Sequence, residues 1–577
     1  MEIIKQVKTQ KGKIESDKVF IKNIFTDFWF KIPEYQRSYV WGEDQVSELI
    51  DDITFAVDNH PEDEYFLGSM VLQKKYLEVS HKGNTIRYEE YDLLDGQQRL
   101  TTLLLMLAVI RDITEDEDLR NDCVNYIYQK ENKYKGIPER LRIIYHIRDN
   151  VEEFIRDFIK EKGGILKTDE LEEQTSVRNI SISNMAKAIL QMQNHFRSIG
   201  KKELERFAIY LLNNVLFIYV SSEDLEDAFR LFTILNDRGL PLTNSDILKA
   251  WNLGVISNQS EKTSYAKFWE ETESNFGQDE FDRLLSFIRT ILIKEKAREN
   301  ILKEFEEKIY KPKLLKKGKE TLELIKTYTD IYDQLILFND TPQSISNEFK
   351  NLITIMDYGL PSTDWVPPVL LFYKKFRDNK LLAFLKKVDN KFSADWIMQF
   401  TPTVRLQNMN DILKAIEKAN KPEKVLENDN IFSFTLKELT EILKDDIYGK
   451  RFVRYILLKL EFLFNDHSFL FNDFHYLTVE HVLPQNPSNN SKWWDNFTEE
   501  EHEQLVHKMG NLVLLGRKKN SELNNKEFKE KKKRYFGDNI KAFPNSLKVM
   551  QYNEWTLETI QERQKEMLLK LKTHYKA

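Results

Sequence analysis

Four polar residues near the carboxyl end of the chain have the types and spacing that hydrolysis beside a metal ion requires. Glu480 and His481 are neighbours in the segment EHVLP, and Asn511 and Asn520 follow, nine residues apart. A neutral imidazole can accept a proton from water near pH 7, and carboxylate and amide oxygens are ligands that suit Mg²⁺. A base and a cation are what the hydrolysis of a phosphodiester needs. The set therefore predicts phosphodiester chemistry.

The elements that must position these residues form a predicted ββα unit with a long insertion. Residues 475–483 and 510–515 have the composition of strands, and residues 524–536 that of a basic helix. We expect the four polar residues to converge on one groove of this unit. Because neighbours on a flat strand point to opposite faces, the first strand must twist or end at the Glu-His pair, and Pro484 favours an ending. The competing interpretation is that a lone strand histidine is structural.

The order EHVLPQNP, then MGNLVLL, then Asn520 before a basic helix resembles the HNH, or His-Me finger, nucleases. It is especially similar to the C-terminal nuclease domain of the GmrSD family of type IV, modification-dependent restriction enzymes. The resemblance implies that His481 is the general base and that Asn511 orients its loop. It also implies that Glu480 and Asn520 hold Mg²⁺ or another divalent cation, although HNH domains often have Asp at the first position. For His507, substrate contact and ordinary packing stay open.

Charge is unevenly distributed along the chain. The net charge of −7 argues against a protein that coats nucleic acid along its whole length. Between Lys508 and Arg534, however, the sequence has ten Lys or Arg and three Glu. We expect this segment to contact DNA phosphates, the alternative being a solvated helix face. The predicted DNA-binding residues are Arg517, Lys518, Lys519, Lys526, Lys529 and Lys533.

A second motif, the DGQQR loop (residues 95–99), lies between a predicted strand (85–95) and a nearly all-apolar predicted helix (100–113). Backbone N–H groups at a helix N-terminus beside a guanidinium can bind an anion. A simple turn would also explain so short a motif. The sequence G-x-x-x-x-G-K-[ST] does not occur, so the motif is not a P-loop.

Three N-terminal segments taken together are more specific. IPEYQRSYVW (32–41), YFLGSMVL (65–72) and DGQQRLTTL (95–103) resemble the N-terminal domain of the same GmrSD family, which has a ParB/sulfiredoxin-like fold. The resemblance implies that this domain binds and hydrolyses a nucleoside triphosphate and couples this to DNA restriction. The residues implied in nucleotide binding are Asp95, Gly96, Gln97, Gln98 and Arg99, together with Gln36 and Arg37.

Length and pattern predict a multidomain α+β protein. A chain of 577 residues exceeds the ~250–300 residues of one hydrophobic core. The four expected parts are a ParB-like nucleotide-binding domain (1–113), its helical extension (114–255), a mainly helical spacer (256–439) and a ββα-metal HNH endonuclease domain (440–577). With one cysteine, no signal-peptide pattern and no apolar run long enough for a bilayer, we expect a cytoplasmic protein without a membrane segment.

These features together predict a nucleotide-regulated, modification-dependent DNA endonuclease of antiphage defence. Its expected partners are modified phage DNA and a nucleoside triphosphate, and a homo-oligomer stays open. Three alternatives also stay open: a nickase that works beside a phosphorothioate-type DNA-modification system, a non-catalytic ParB-like DNA-binding regulator, and a ribonuclease toxin. The intact set of polar residues around His481 weighs against the regulator.

Overall fold

The computed structural model divides into two compact units, Met1–Glu271 and Thr272–Ala577. The residues it describes are 3–6, 14–33, 36, 38–81, 84–134, 136–145, 150–177, 179–224, 227–228, 231, 243–468, 470–471, 477–516, 525–535 and 543–576. Both units contain helices and strands. The predicted multidomain α+β class is therefore confirmed, and the finer four-part division stays a prediction.

The first unit is built on a mixed seven-stranded sheet. Its strands are β1 (Ile3–Gln6), β2 (Glu15–Phe20), β3 (Phe30–Ile32), β4 (Tyr65–His81), β5 (Asn84–Asp95), β8 (Ile143–Tyr145) and β9 (Val215–Ser222). The strand order is β2-β9-β4-β5-β3-β8, with β1 on β4, and a separate ribbon pairs β6 (Tyr128–Gln129) with β7 (Arg140–Leu141). β4 runs antiparallel to β5 and parallel to β9. The strand predicted ahead of the DGQQR loop is β5.

A buried helix, Gln97–Ile113, follows β5 directly and shares the hydrophobic core of the sheet. It begins three residues before the predicted start, because Gly96 ends β5 in a left-handed conformation with φ of +93°. The other helices of this unit are Ile21–Asp27, Glu43–Asn59, Glu117–Ile127, Val151–Phe154 with the π-helical segment Ile155–Lys160, the 3₁₀ turn Gly164–Leu166, Thr168–Gln174, Ile180–Ile199, Lys201–Asn213 and Asn244–Gly254. Helix Gln259–Phe276 contains the boundary between the units.

The second unit begins with a helical part, as predicted. Its helices are Gln278–Ile293, Ile301–Glu304 with the π-helical segment Phe305–Tyr310, Lys319–Tyr332 with the π-helical segment Asp333–Leu337, Asn347–Gly359, Val366–Phe376, Leu381–Ile397, Pro402–Lys418, Pro422–Leu426, Asp429–Phe432, Leu436–Lys444 and Val453–Phe464. In its core, Lys459 Nζ lies 2.7 Å from Asp389 Oδ2, and both side chains are wholly buried. Charged groups are tolerated in such a core only when they are paired. Among the helices in the described part of the chain, none is long and apolar enough to cross a bilayer.

The last part of the second unit has the predicted order of two strands and a helix. β10 (Leu477–His481) pairs antiparallel with β11 (Leu512–Gly516), and the basic helix is Phe528–Tyr535. Between and after them lie Trp493–Asn496, Glu499–Leu505, the 3₁₀ turns Met509–Asn511 and Lys548–Gln551, Pro544–Leu547 and the long helix Leu557–Lys576. Trp493, Trp555 and Phe528 fill a separate small core beneath the two strands. This core fixes the basic helix beside β10.

Candidate functional site

The C-terminal ribbon brings the Glu-His pair and Asn511 together. Within it, Glu480 lies opposite Val513, and His481 lies opposite Leu512. β10 ends at His481, and the next backbone N–H, of Val482, donates to the carbonyl oxygen of Asn511 at 2.9 Å. The strand therefore ends at the Glu-His pair, and Asn511 lies beside that end.

Glu480 is buried and paired with a lysine of the basic helix. The Lys531 ammonium donates to Glu480 Oε1 at 3.1 Å and to the backbone carbonyl oxygen of His481 at 2.7 Å. The side chain of Lys531 is 0% exposed, and that of Glu480 is 7% exposed. Burial raises the pKa of the Glu480 carboxyl, and the charge of Lys531 opposes this rise. The basic helix thus holds the end of β10 from inside the domain.

The His481 ring has a different set of neighbours. Its Nε2 atom lies 3.3 Å from His507 Nδ1 and 3.3 Å from Gln485 Nε2, and the Tyr448 ring packs against it at a centroid distance of 4.1 Å. Burial, followed by the charge of His507, lowers the pKa of His481 to about 3. The imidazole is therefore neutral at pH 7, which is the form that accepts a proton from water. Glu480 and His481 have separate contacts, as alternating side chains on a strand should.

Asn511 is wholly buried and uses both ends of its amide. Its Oδ1 accepts from the backbone N–H of Leu483 at 2.7 Å and from the Trp555 indole at 3.1 Å. Its Nδ2 donates to the backbone carbonyls of Leu483 at 3.0 Å and Val506 at 2.9 Å. These bonds tie the segment that follows His481 to the segment that precedes β11. Such an amide can orient the histidine loop but has no exposed surface with which to touch a substrate.

The buried pairing of Lys531 with Glu480 was not predicted from the sequence, because Lys531 is one of several cations in the basic segment. Lys531 comes one turn after Phe528 on the helix, and both side chains are buried. Its i, i+3 spacing from an aromatic residue was the available signal that it lies on the inner face. Tyr448 gave no comparable signal, because its contact with His481 exists only in the folded chain.

The predicted DNA-binding lysines of the basic helix and its approach are exposed. Lys526 pairs with Glu530 at 3.2 Å, with 45% of its side chain exposed. Lys529 and Lys533 are exposed and have no ion-pair partner among the residues that the structure describes. They are therefore available to phosphate groups. Four other predicted site residues lie outside the described residues: Arg517, Lys518, Lys519 and Asn520.

In the first unit, Gln98 joins the DGQQR loop to the first N-terminal motif. Its Oε1 accepts from the backbone N–H of Val40 at 2.8 Å, and its Nε2 donates to the backbone carbonyl of Ser38 at 3.0 Å. Gln36 of the same motif donates from Nε2 to the carbonyl of Leu94, just ahead of the loop, at 2.9 Å. Two motifs that are distant in sequence therefore form one structure.

Arg99 joins the DGQQR loop to β4 and so to the second motif. Its guanidinium donates to the backbone carbonyls of Leu67 at 3.1 Å and Ser69 at 2.9 Å, and it lies 3.6 Å from the Asp95 carboxylate. Gly68, between those carbonyls, has a φ of +130°, and a Cβ there would lie 1.7 Å from Arg99 Nη1. Because L side chains rarely adopt this φ, the position favours glycine. Arg99 therefore builds the fold of the loop.

The remaining predicted nucleotide-binding residues lie at the start of the buried helix. Gly96 is its N-cap and, as a glycine, has no side chain with which to cap the helix, and Gln97 is 4% exposed. The Asp95 side chain is 20% exposed at the same end. The first N–H groups of a helix have no partner within the helix and attract anions. The predicted residue Arg37 lies outside the described residues.

The donors near β10 can be compared with what a metal ion needs. Within the described ranges, no three His, Cys, Asp or Glu side chains are grouped so as to hold a metal ion. Glu480 Oε1 and the backbone carbonyl oxygen of His481 both accept hydrogen bonds from one positively charged group, the Lys531 ammonium. Carboxylate and carbonyl oxygens are also ligands for hard divalent cations. These two oxygens are therefore of the type that a divalent cation takes, and Asn520, the other predicted ligand, lies outside the described residues.

Comparison with known proteins gives two family matches. Residues 18–253 match the GmrSD restriction endonuclease N-terminal domain, and residues 428–570 match the GmrSD restriction endonuclease C-terminal domain. The first match contains the DGQQR loop, and the second contains the Glu-His pair and the basic helix. No significant match is found among curated proteins. The two matches together cover more than half of the chain and confirm the predicted resemblance: the protein belongs to the GmrSD family of type IV restriction endonucleases and acts on DNA.

Proposed function

We propose that the chain is a nucleotide-regulated endonuclease of antiphage defence that cuts modified foreign DNA by metal-dependent hydrolysis in an HNH-type site. The observation that carries the hydrolytic part is His481. It is a buried and neutral imidazole at the end of the first strand of a ββα unit, and the residue before it, Glu480, is a buried carboxylate paired with Lys531. The neutral form of a histidine is the one that can accept a proton from water.

In this proposal each residue of the site has one task. His481 accepts a proton from the attacking water at Nε2, the atom that faces His507 and Gln485. Asn511 keeps the histidine loop in place through its buried amide. Glu480 and Asn520 would hold a divalent cation, which supplies charge stabilisation at the phosphate and the leaving oxygen.

The exposed lysines of the basic helix support contact with the DNA backbone. Lys529 and Lys533 lie one turn apart on the helix and can follow neighbouring phosphates. Such contacts position the duplex but do not carry direct sequence information.

Replacing Lys529 and Lys533 together by Ala should weaken binding to modified and plain DNA by similar factors. The salt dependence of the association constant should flatten by about 0.9 log units for each lysine that no longer neutralises a phosphate. Fluorescence anisotropy at several salt concentrations measures both effects. As a matched control, the exposed Lys418 and Lys424 of the helical part can be replaced in the same way. An unchanged salt slope, or a weakening confined to modified DNA, would contradict the proposal.

The nucleotide part of the proposal is supported by the meeting of the three N-terminal motifs at one helix start. Gln98 and Arg99 hydrogen-bond to backbone carbonyls of the fold, and the Asp95 side chain, 3.6 Å from the Arg99 guanidinium, is 20% exposed at the same helix start. A carboxylate at this end can serve a triphosphate through its accompanying cation or as an acceptor for its hydroxyl groups.

Asp95→Asn should therefore weaken triphosphate binding about tenfold or more, because the substitution removes the charge that strengthens the interaction while the shape of the side chain is kept. Titration calorimetry with each triphosphate measures the effect. Asp118→Asn, in the exposed first turn of another helix of the unit, is the control and should bind as the wild type. Normal binding by Asp95→Asn would mean that the loop is only a structural turn.

The proposed activity as a whole is tested by one set of reactions. Purified protein is incubated with plain, glucosylated-hydroxymethylcytosine and phosphorothioate DNA, with Mg²⁺ and with or without each triphosphate. We expect cutting of a modified DNA that depends on Mg²⁺ and responds to a triphosphate. Equal cutting of plain DNA would contradict modification dependence. Single-strand nicks only, binding without cutting, or cutting of RNA would favour the nickase, the regulator or the ribonuclease, respectively.

A further inference from the structure

Lys531 differs from the other lysines of the helix Phe528–Tyr535. Lys529 and Lys533 are exposed, whereas the side chain of Lys531 is 0% exposed. Phe528, one turn earlier on the same face, is apolar and buried. Burying an ammonium is much more costly than burying an apolar side chain, unless oxygen atoms replace its water. Packing alone therefore does not explain a lysine at this position.

Two oxygen atoms do explain it. Lys531 donates to Glu480 Oε1 at 3.1 Å and to the carbonyl oxygen of His481 at 2.7 Å. Glu480 is itself buried, and its carboxylate has no other counterion within the described residues. Both oxygens belong to the residue pair that we assign to metal binding and proton transfer. The ammonium therefore supplies a positive charge to the carboxylate that we assign to metal binding.

We propose that Lys531 occupies, in the metal-free protein, the place that a divalent cation takes beside Glu480, and that its ammonium withdraws when the cation binds. This inference rests on the metal-dependent hydrolysis proposed above. Mg²⁺ takes its oxygen ligands at about 2.0–2.1 Å, and an ammonium bonded to the same carboxylate repels it at short range. Lys531 thus keeps the Glu-His pair in position before metal binding and lowers the affinity of the site for the metal.

Mn²⁺ binding to the purified full chain measures this competition. Lys531→Met removes the charge but keeps a long unbranched side chain, so it should tighten Mn²⁺ binding at the Glu480 site at least tenfold in titration calorimetry. Lys531→Arg retains the charge and should not tighten it. Lys529→Met, on the outer face of the same helix, should leave the Mn²⁺ affinity unchanged. Glu480→Gln identifies the site, because the binding in question must disappear in that variant.

A folded Lys531→Met protein that binds Mn²⁺ no more tightly than the wild type would overturn the proposal. Should this variant fail to fold, acetylation of wild-type lysines with an amine-reactive reagent, read by mass spectrometry, gives the answer. Lys531 should be protected without metal and become reactive with Mn²⁺, whereas Lys529 should react equally in both. Protection that persists at saturating Mn²⁺ would overturn the exchange.

The experiments distinguish an error in the proposed metal site from an error in the proposed lysine exchange. If the wild type has no Mn²⁺ site that depends on Glu480, the proposed metal-dependent hydrolysis is wrong, and the role of Lys531 falls with it. If that site exists and Lys531→Met binds Mn²⁺ with the wild-type affinity, only the exchange is wrong.

Discussion

His481→Ala should lower the rate of DNA cleavage by at least about 10²–10⁴-fold, the loss expected when a general base is removed. The effect should fall on the rate of cutting and not on DNA affinity, because the exposed lysines of the basic helix remain. Cleavage under single-turnover conditions and DNA binding by anisotropy separate the two. His60→Ala, an exposed histidine of the first unit, is the matched control and should cut at the wild-type rate.

The fold of the His481→Ala protein should stay intact. The change removes ring contacts with Tyr448 and His507 but leaves the Lys531 bond to the backbone carbonyl of residue 481. Circular dichroism and thermal unfolding check this. Undiminished cleavage by the purified variant would place the active site elsewhere in the chain.

Asn511→Ala should lower the stability of the C-terminal part by about 2–5 kcal/mol and abolish most cleavage, because several buried groups are left unsatisfied at once. The amide serves four backbone and side-chain groups, from Leu483, Val506 and Trp555. Leaving a buried polar group without its partner costs about 1–3 kcal/mol, and part of this is recovered by relaxation. Denaturant unfolding gives the change in free energy, and hydrogen exchange of the peptides around β10 and β11 localises it.

Two further variants sharpen the Asn511 experiment. Asn511→Asp keeps the acceptor for Leu483 and Trp555 but removes both donors, so it should also be destabilised. Asn490→Ala, at an exposed position in the insertion, should leave stability and cleavage unchanged. Wild-type stability and cleavage in Asn511→Ala would contradict the positioning role.

Local pattern was enough to find the elements that carry both candidate sites. The strand-like composition of β10, the apolar run of β11 and the apolar length of helix Gln97–Ile113 are properties of short segments, and so they can be read from the sequence. Boundaries differed by a few residues where the backbone conformation set them. At the start of that helix, the left-handed conformation of Gly96 set the position.

The tasks of the DGQQR side chains were less accessible. The loop could be identified from its sequence motif. The hydrogen bonds of Gln98 to Ser38 and of Arg99 to the carbonyls of β4, however, join segments that are far apart in the chain. A hydrogen bond of this kind leaves no periodic trace in either segment. Only the folded chain shows that Gln98 and Arg99 hold the loop and that Asp95, beside Arg99, is partly exposed.

The residue types of the candidate nuclease site, the ββα order that holds them and the family of the chain could all be predicted from the amino-acid sequence. The folded chain was needed to show that Lys531 lies inside the domain while Lys529 and Lys533 are exposed, and that the pKa of His481 falls to about 3. Burial accounts for both results. Charge and proton affinity depend on how much water and which charges surround a group, and those neighbours are set by packing across the whole domain.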